Sequence, residues 1–279
     1  MRKTFLLMVL LVLIFMYFGN LIGGTQGMFN AFAGACGINL FSYFFSDSLV
    51  LMHYRAKEAT EKTEPVMYDI IKRLSSEAGL PMPKIYVVPD KVPNAFATGR
   101  DAKHSAVAAT SGLLELMSRE ELEGVLAHEM SHVRHHDILI STIAAIFAGA
   151  IAMLGNFARV NSSAKNQNRN ALIMLLGAVL MPIAASIIQM SISRTREYKA
   201  DEGAARLTKH PEWLMSALYK LENYANNYRM QKADVQTAHM FIVNPFSGIK
   251  SNFSSLFATH PSTANRIKRL AEIKEEMQL

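Results

Sequence analysis

Between Thr4 and Ser46 the chain carries no charged residue, and no other feature limits its fold so sharply. A run of that kind holds two helices of about 20 residues, each long enough to cross a hydrocarbon layer about 30 Å thick. The first apolar stretch covers 4–24, with its core from Phe5 to Phe18, and closes on Gly19-Asn20 and a Gly23-Gly24 break. The second covers 28–46 and is softer, with Asn30, Gly34, Gly37 and Asn39. Arg2 and Lys3 ahead of apolar residues also resemble the start of a signal peptide. No convincing small-x-small cleavage site follows and a second apolar stretch does, so an uncleaved anchor is expected.

Two more uncharged runs, 138–158 and 171–193, have spanning length. Ala144, Ala148 and Ala152 recur every four residues in the first, and small residues on one face let membrane helices approach closely. Pro182 predicts a kink in the second. Both are Ala-rich rather than Leu-rich, so a buried helical hairpin of a soluble protein is the other reading. Arg2 and Lys3 before the first run, with Arg55 and Lys57 after the second, place the N-terminus and the following domain in the cytoplasm. Arg159, Lys165 and Arg169 point the other way, and the first hairpin is taken to dominate. The net charge of +6 suits a domain held against an anionic leaflet. No nucleic-acid motif accompanies that charge, so no nucleic-acid partner is expected. The single cysteine, Cys36, excludes an intramolecular disulfide.

The chemistry is carried by His128-Glu129-Met130-Ser131-His132, an H-E-x-x-H motif. Ser118 and Glu121 form a capping box ahead of it, and Leu122, Val125 and Leu126 supply an apolar face, so the motif falls on a helix. Histidines four apart share one helical face and can reach one metal ion, with Glu129 beside them. A catalytic zinc takes a third protein ligand and keeps a fourth position open. His135, His136 and Asp137 are close by, but the H-x-x-G-x-x-H extension is absent. Downstream, Glu197 and Asp201 are also four apart, so one can bind metal while the other orients a ligand imidazole. Among Arg194, Arg196 and Lys199 they read equally as a solvated acidic face.

Four motifs in order settle on one resemblance: N-A-F-A-T-G from Asn94, HEMSH, E-Y-K-A-D from Glu197, and T-H-P-S-T from Thr259. Over nearly its whole length the chain resembles the HtpX family, membrane zinc metalloproteases related to the CAAX prenyl protease. The resemblance implies His128, His132 and Glu197 as ligands of one Zn2+ per chain, and Glu129 as catalytic base. It implies substrates that are misfolded or damaged membrane proteins or unfolded polypeptides, in quality control and stress response at the bacterial inner membrane. It also points to Asn94, Ala95 and Phe96 as an edge strand that pairs with extended substrate.

The fold expected is mainly α, with four transmembrane helices and a zincin-like α+β protease domain split into 53–137 and 194–279. Within it, 61–79 reads as a helix with Val66, Ile70, Ile71 and Leu74 on one face, and 84–88, 94–98 and 105–109 as short strands. After Pro211 a helix has Trp213, Leu214, Ala217, Leu218 and Leu221 as core, and 231–255 is loop-like. Asp201 is a candidate for orienting a histidine; His260 and Tyr198 are candidates for hydrogen bonding an oxyanion, with a capping role for His260 the alternative. A catalytically silent metal-binding membrane scaffold would not need Glu129, and a transporter commonly carries charge within its spans. Nothing in the sequence specifies an oligomeric state.

Overall fold

The computed structural model describes residues 2–143, 194–227 and 261–278. Helix α1 (Arg2–Phe44) takes in nearly all of the uncharged run behind Arg2 and Lys3 and is broken where Gly24 takes φ 58. That left-handed backbone costs glycine little and turns the chain back on itself. Asn39 Nδ2 donates to the Met8 carbonyl at 3.3 Å, so the two arms run antiparallel. Phe5, Leu13, Tyr17, Phe29 and Leu40 of this hairpin are exposed. Among the described residues no single helix is long and apolar enough to cross a membrane. The arm Gly23–Phe44 meets that requirement only together with Asp47–His53 of α2 (Ser46–His53), the two being bent by 82°. Of the expected spans, 138–158 is described only as far as the helical residues 138–143, and 171–193 lies outside the described residues, as does the 231–255 loop.

A four-stranded sheet follows, in the order β1-β2-β4-β3. It consists of β1 (Lys57–Glu58), β2 (Lys84–Val88), β3 (Ala95–Asp101) and β4 (His104–Thr110). The three expected strands are present, and β1 adds a two-residue edge. β2 and β4 are parallel, while β3 returns antiparallel on β4 and ends the sheet. Helix α3 (Pro65–Ala78) starts four residues later than the pattern predicts. Thr60 and Thr63 accept each other's backbone N–H in a turn ahead of it, and proline suits the first helical position because its missing N–H would be unpaired there. The buried stripe is Met67, Ile70, Ile71 and Leu74; Val66, expected among them, is exposed.

Helix α4 (Ser111–Leu116) leads into α5 (Arg119–Arg134), which begins at the expected capping box. Ser118 N–H donates to Glu121 Oε2 at 2.8 Å, and Glu121 N–H donates back to Ser118 Oγ. Helices α6 (Arg194–Thr208), α7 (Pro211–Asn227) and α8 (Thr263–Glu276) pack around it. Trp213 of α7, expected in the core, is half-buried and stacks on His210. Gly124 lets α7 approach: a Cβ there would lie 2.7 Å from the Leu214 nitrogen. Ile71, Val107, Leu126, Met130, Ala204, Leu218 and Leu270 share one core, so the described parts of 53–137 and 194–279 have a common interior.

Candidate active site

Helix α5 carries the motif on its most enclosed stretch, every residue from Glu121 to Ser131 being buried. Helical spacing stacks His128 and His132 on one face, with rings perpendicular and Nε2 atoms 3.2 Å apart. Helix α6 brings in Glu197, whose Oε2 is 3.7 Å from His128 Nε2 and whose Oε1 is 3.7 Å from His132 Nε2. One donor atom from each of the three lies within 4.8 Å of the others, a cluster that could hold a metal ion. Two nitrogens bound tetrahedrally at about 2.1 Å to one ion sit roughly 3.4 Å apart, close to the separation here.

The far side of each imidazole faces a carboxylate. His128 Nδ1 is 3.0 Å from Asp201 Oδ1, and His132 Nδ1 is 3.5 Å from Asp137 Oδ2. These partners favour N–H at both Nδ1 atoms, an assignment inferred from the contacts, which turns both Nε2 lone pairs toward the cluster. Two lone pairs that close need a cation between them, which the donor set fits. Without an ion, a proton serves. Burial works against protonation of His132, but Asp137, Glu197 and Glu129 outweigh it and raise its pKa to about 9. Burial, helped by the Arg266 and His132 charges, lowers that of His128 despite Asp201.

Glu129 sits beside the cluster, 5% exposed. Burial pushes its carboxyl up to about 7, although His132, Arg266 and a hydrogen bond from the Ala97 N–H pull the other way. That amide belongs to the edge strand. The Asn94 carbonyl accepts from Thr110 N–H across the β3–β4 pair. Antiparallel alternation then directs the backbone groups of Phe96 and Thr98 to β4, and those of Ala95 and Ala97 to the outer side of β3, where both residues are buried. Asn94, Ala95 and Phe96 thus begin an edge strand, but their side chains are buried; Phe96 packs with Val50, Leu51 and Val88.

The sequence pattern therefore brought His128, Glu129, His132, Glu197 and Asp201 to one place. Tyr198 instead lines a groove with Asn265, Lys268, Arg269 and Glu272. His260 lies outside the described residues. His135 and His136 are exposed in the turn that ends α5, where His136 takes φ 58, and Asp137 turns back to His132. Sequence reasoning missed Arg266, which is 1% exposed. Its Nε donates to Asp201 Oδ2 at 2.9 Å and its Nη2 to Asp201 Oδ1 at 2.6 Å. A signal existed: Arg266, Leu270 and Ile273 form the apolar stripe of α8, and an arginine at a stripe position demands a buried partner.

Residues 61–274 match Peptidase family M48. The chain is 62% identical over 278 residues to a Protease HtpX homolog of Campylobacter hominis, covering 99% of each. It is 48% identical over 280 residues to a Protease HtpX homolog of Pyrococcus furiosus, covering 99% of this chain and 96% of that one. Among solved structures it is similar to S. mikatae Ste24p, with a TM-score of 0.55 and 18% identity. That match covers 93% of this chain and 62% of the other, so the chain spans less than two thirds of that protein and shares its fold.

Proposed function

The chain belongs to the HtpX proteases of peptidase family M48 and is a metalloprotease, and we propose that it is a zinc-dependent endopeptidase of the membrane. In this reading it hydrolyses peptide bonds of misfolded or damaged membrane proteins, in quality control and stress response. The observation that carries it is the meeting of His128 Nε2, His132 Nε2 and a Glu197 carboxylate oxygen beside a buried Glu129. Nitrogen and carboxylate donors in a set of three suit zinc with one position left for chemistry.

His128, His132 and Glu197 would hold the ion. When bound, it supplies a Lewis acid that polarises the scissile carbonyl and makes water acidic enough to attack near neutral pH. Glu129 accepts that water's proton and returns it to the departing amine. Asp201, at His128 Nδ1, holds that ring in the tautomer that leaves Nε2 free to bind, and Asp137 faces Nδ1 of His132 in the same way. In this reading an extended substrate aligns along the β3 side of the site, where the Ala97 amide lies beside Glu129.

A multi-pass position in the bacterial cytoplasmic membrane, catalytic part toward the cytoplasm, is supported by the outward apolar side chains of α1 and by Arg2, Lys3, Arg55 and Lys57. Partners in this reading are the bilayer and polypeptide substrates. Purified wild-type and Glu129→Gln protein, assayed for bound metal and for cleavage of a membrane substrate, test the function. The variant should keep its metal and lose about 10²–10⁴ in rate, because a base is removed and a ligand is not. Near wild-type turnover would overturn the mechanism, and a wild-type protein free of zinc would overturn the metal.

A further inference from the structure

Arg266 stands 138 residues from His128 in sequence, yet its Nη2 is 3.4 Å from His128 Nδ1. The same nitrogen and Nε hold Asp201 in a two-point grip, and both side chains are sealed from solvent. A carboxylate receiving a histidine N–H can rotate and release the ring. A guanidinium bound at both carboxylate oxygens prevents this, because its planar fork fixes the carboxylate plane. Arg266 lies on the Nδ1 side of His128, away from the Nε2 that faces Glu197. Its two-point contact is with Asp201, which in turn faces Nδ1 of His128.

Resting on the zinc reading above, we propose that Arg266 is a positioning residue of the metal centre, committing His128 to the ion through Asp201. The C-terminal helix α8 is then a working part of the site and not only a packing element. It carries Arg266 one turn ahead of Leu270, and Leu270 and Ile273 anchor the helix in the shared core.

Zinc competition against a chromophoric chelator, on the full-length chain in detergent, measures the effect directly. Arg266→Met should weaken zinc binding by about 10–100-fold, the usual cost of losing an outer partner of a metal ligand. Arg266→Lys keeps the charge but not the fork, so it should recover part of that loss and still bind at least about tenfold more weakly than wild type. Leu270→Ala, buried on the same helix face but outside the Asp201 contact, should lower the unfolding temperature and leave zinc affinity within about twofold. Wild-type affinity in folded Arg266→Met or Arg266→Lys would overturn the proposal. Equal loss in Leu270→Ala would also overturn it, by reducing the effect to packing. Should Arg266→Met not fold, Arg266→Lys alone decides. A wild-type chain that binds no zinc would sink the proposed function instead, so the two failures are distinguishable.

Discussion

Glu197 is the residue on which the metal reading depends most, since the histidine pair alone leaves the site one donor short. Glu197→Ala should abolish activity and weaken metal binding by more than the roughly 10–100-fold typical of outer partners. His136→Ala should do neither, because His136 is exposed in the turn after α5. Metal content and proteolysis measured together check both, and stoichiometric metal in Glu197→Ala with loss in His136→Ala would reverse the assignment. At this scale the sequence is legible wherever chemistry is written in local spacing. His128 and His132, like Glu197 and Asp201, are four apart, and a helix converts that interval into a shared face. The partner of Arg266 and the role of the Ala97 amide were not legible, because Arg266 lies 65 residues beyond Asp201 and the amide reaches Glu129 through tertiary packing alone.

Helix α5 is held at its start by a carboxylate with three tasks. Glu121 caps the helix, accepts from Ser216 Oγ at 2.7 Å, and pairs with Lys220 Nζ at 2.6 Å, tying α7 to α5. Burial would raise its pKa, but Lys220, the Ser118 N–H and Ser216 lower it below the ordinary 4.5. A depressed carboxylate contributes stability that is present above its unfolded pKa and lost as pH falls through the folded one. Glu121→Gln keeps a capping side chain but not the charge, and should cost about 1–2 kcal/mol near neutral pH. Thermal unfolding near pH 7 and near pH 4 checks this: the gap to wild type should narrow at the lower pH, and a constant gap would remove the charge from the explanation. The same interface is tight at Gly124, where a methyl meets the α7 backbone and not a side chain able to move. Gly124→Ala should therefore destabilise by about 1–3 kcal/mol in the same measurement, through overpacking. The cap was readable because Ser118 and Glu121 are three apart, whereas the contact of Gly124 with α7 was not, since no local pattern records which helix a glycine faces.

For the whole molecule, the decisive contact is that between the two residues flanking the later apolar runs. His132 and Glu197 stand 3.7 Å apart although one precedes and the other follows the two apolar runs between them. The chain must therefore leave and return on the same side of whatever those runs enter. If both runs cross a bilayer, they cross as a pair, folded back on each other as the two arms of α1 are about Gly24. Arg2 and Lys3 then set the side of the protease part as cytoplasmic. In a Cys36→Ser background, cysteines at Thr25, beside the α1 turn, and at Ser163, between the later runs, should react with an impermeant thiol reagent in cells whose outer membrane is permeabilised. A cysteine at Ser76, exposed near the end of α3, should react only after lysis. Reaction at Ser76 in intact cells, with Thr25 and Ser163 protected, would invert the orientation. Protection of Ser163 alone would mean that the later pair turns back without crossing, leaving the active site cytoplasmic and the membrane contact to α1.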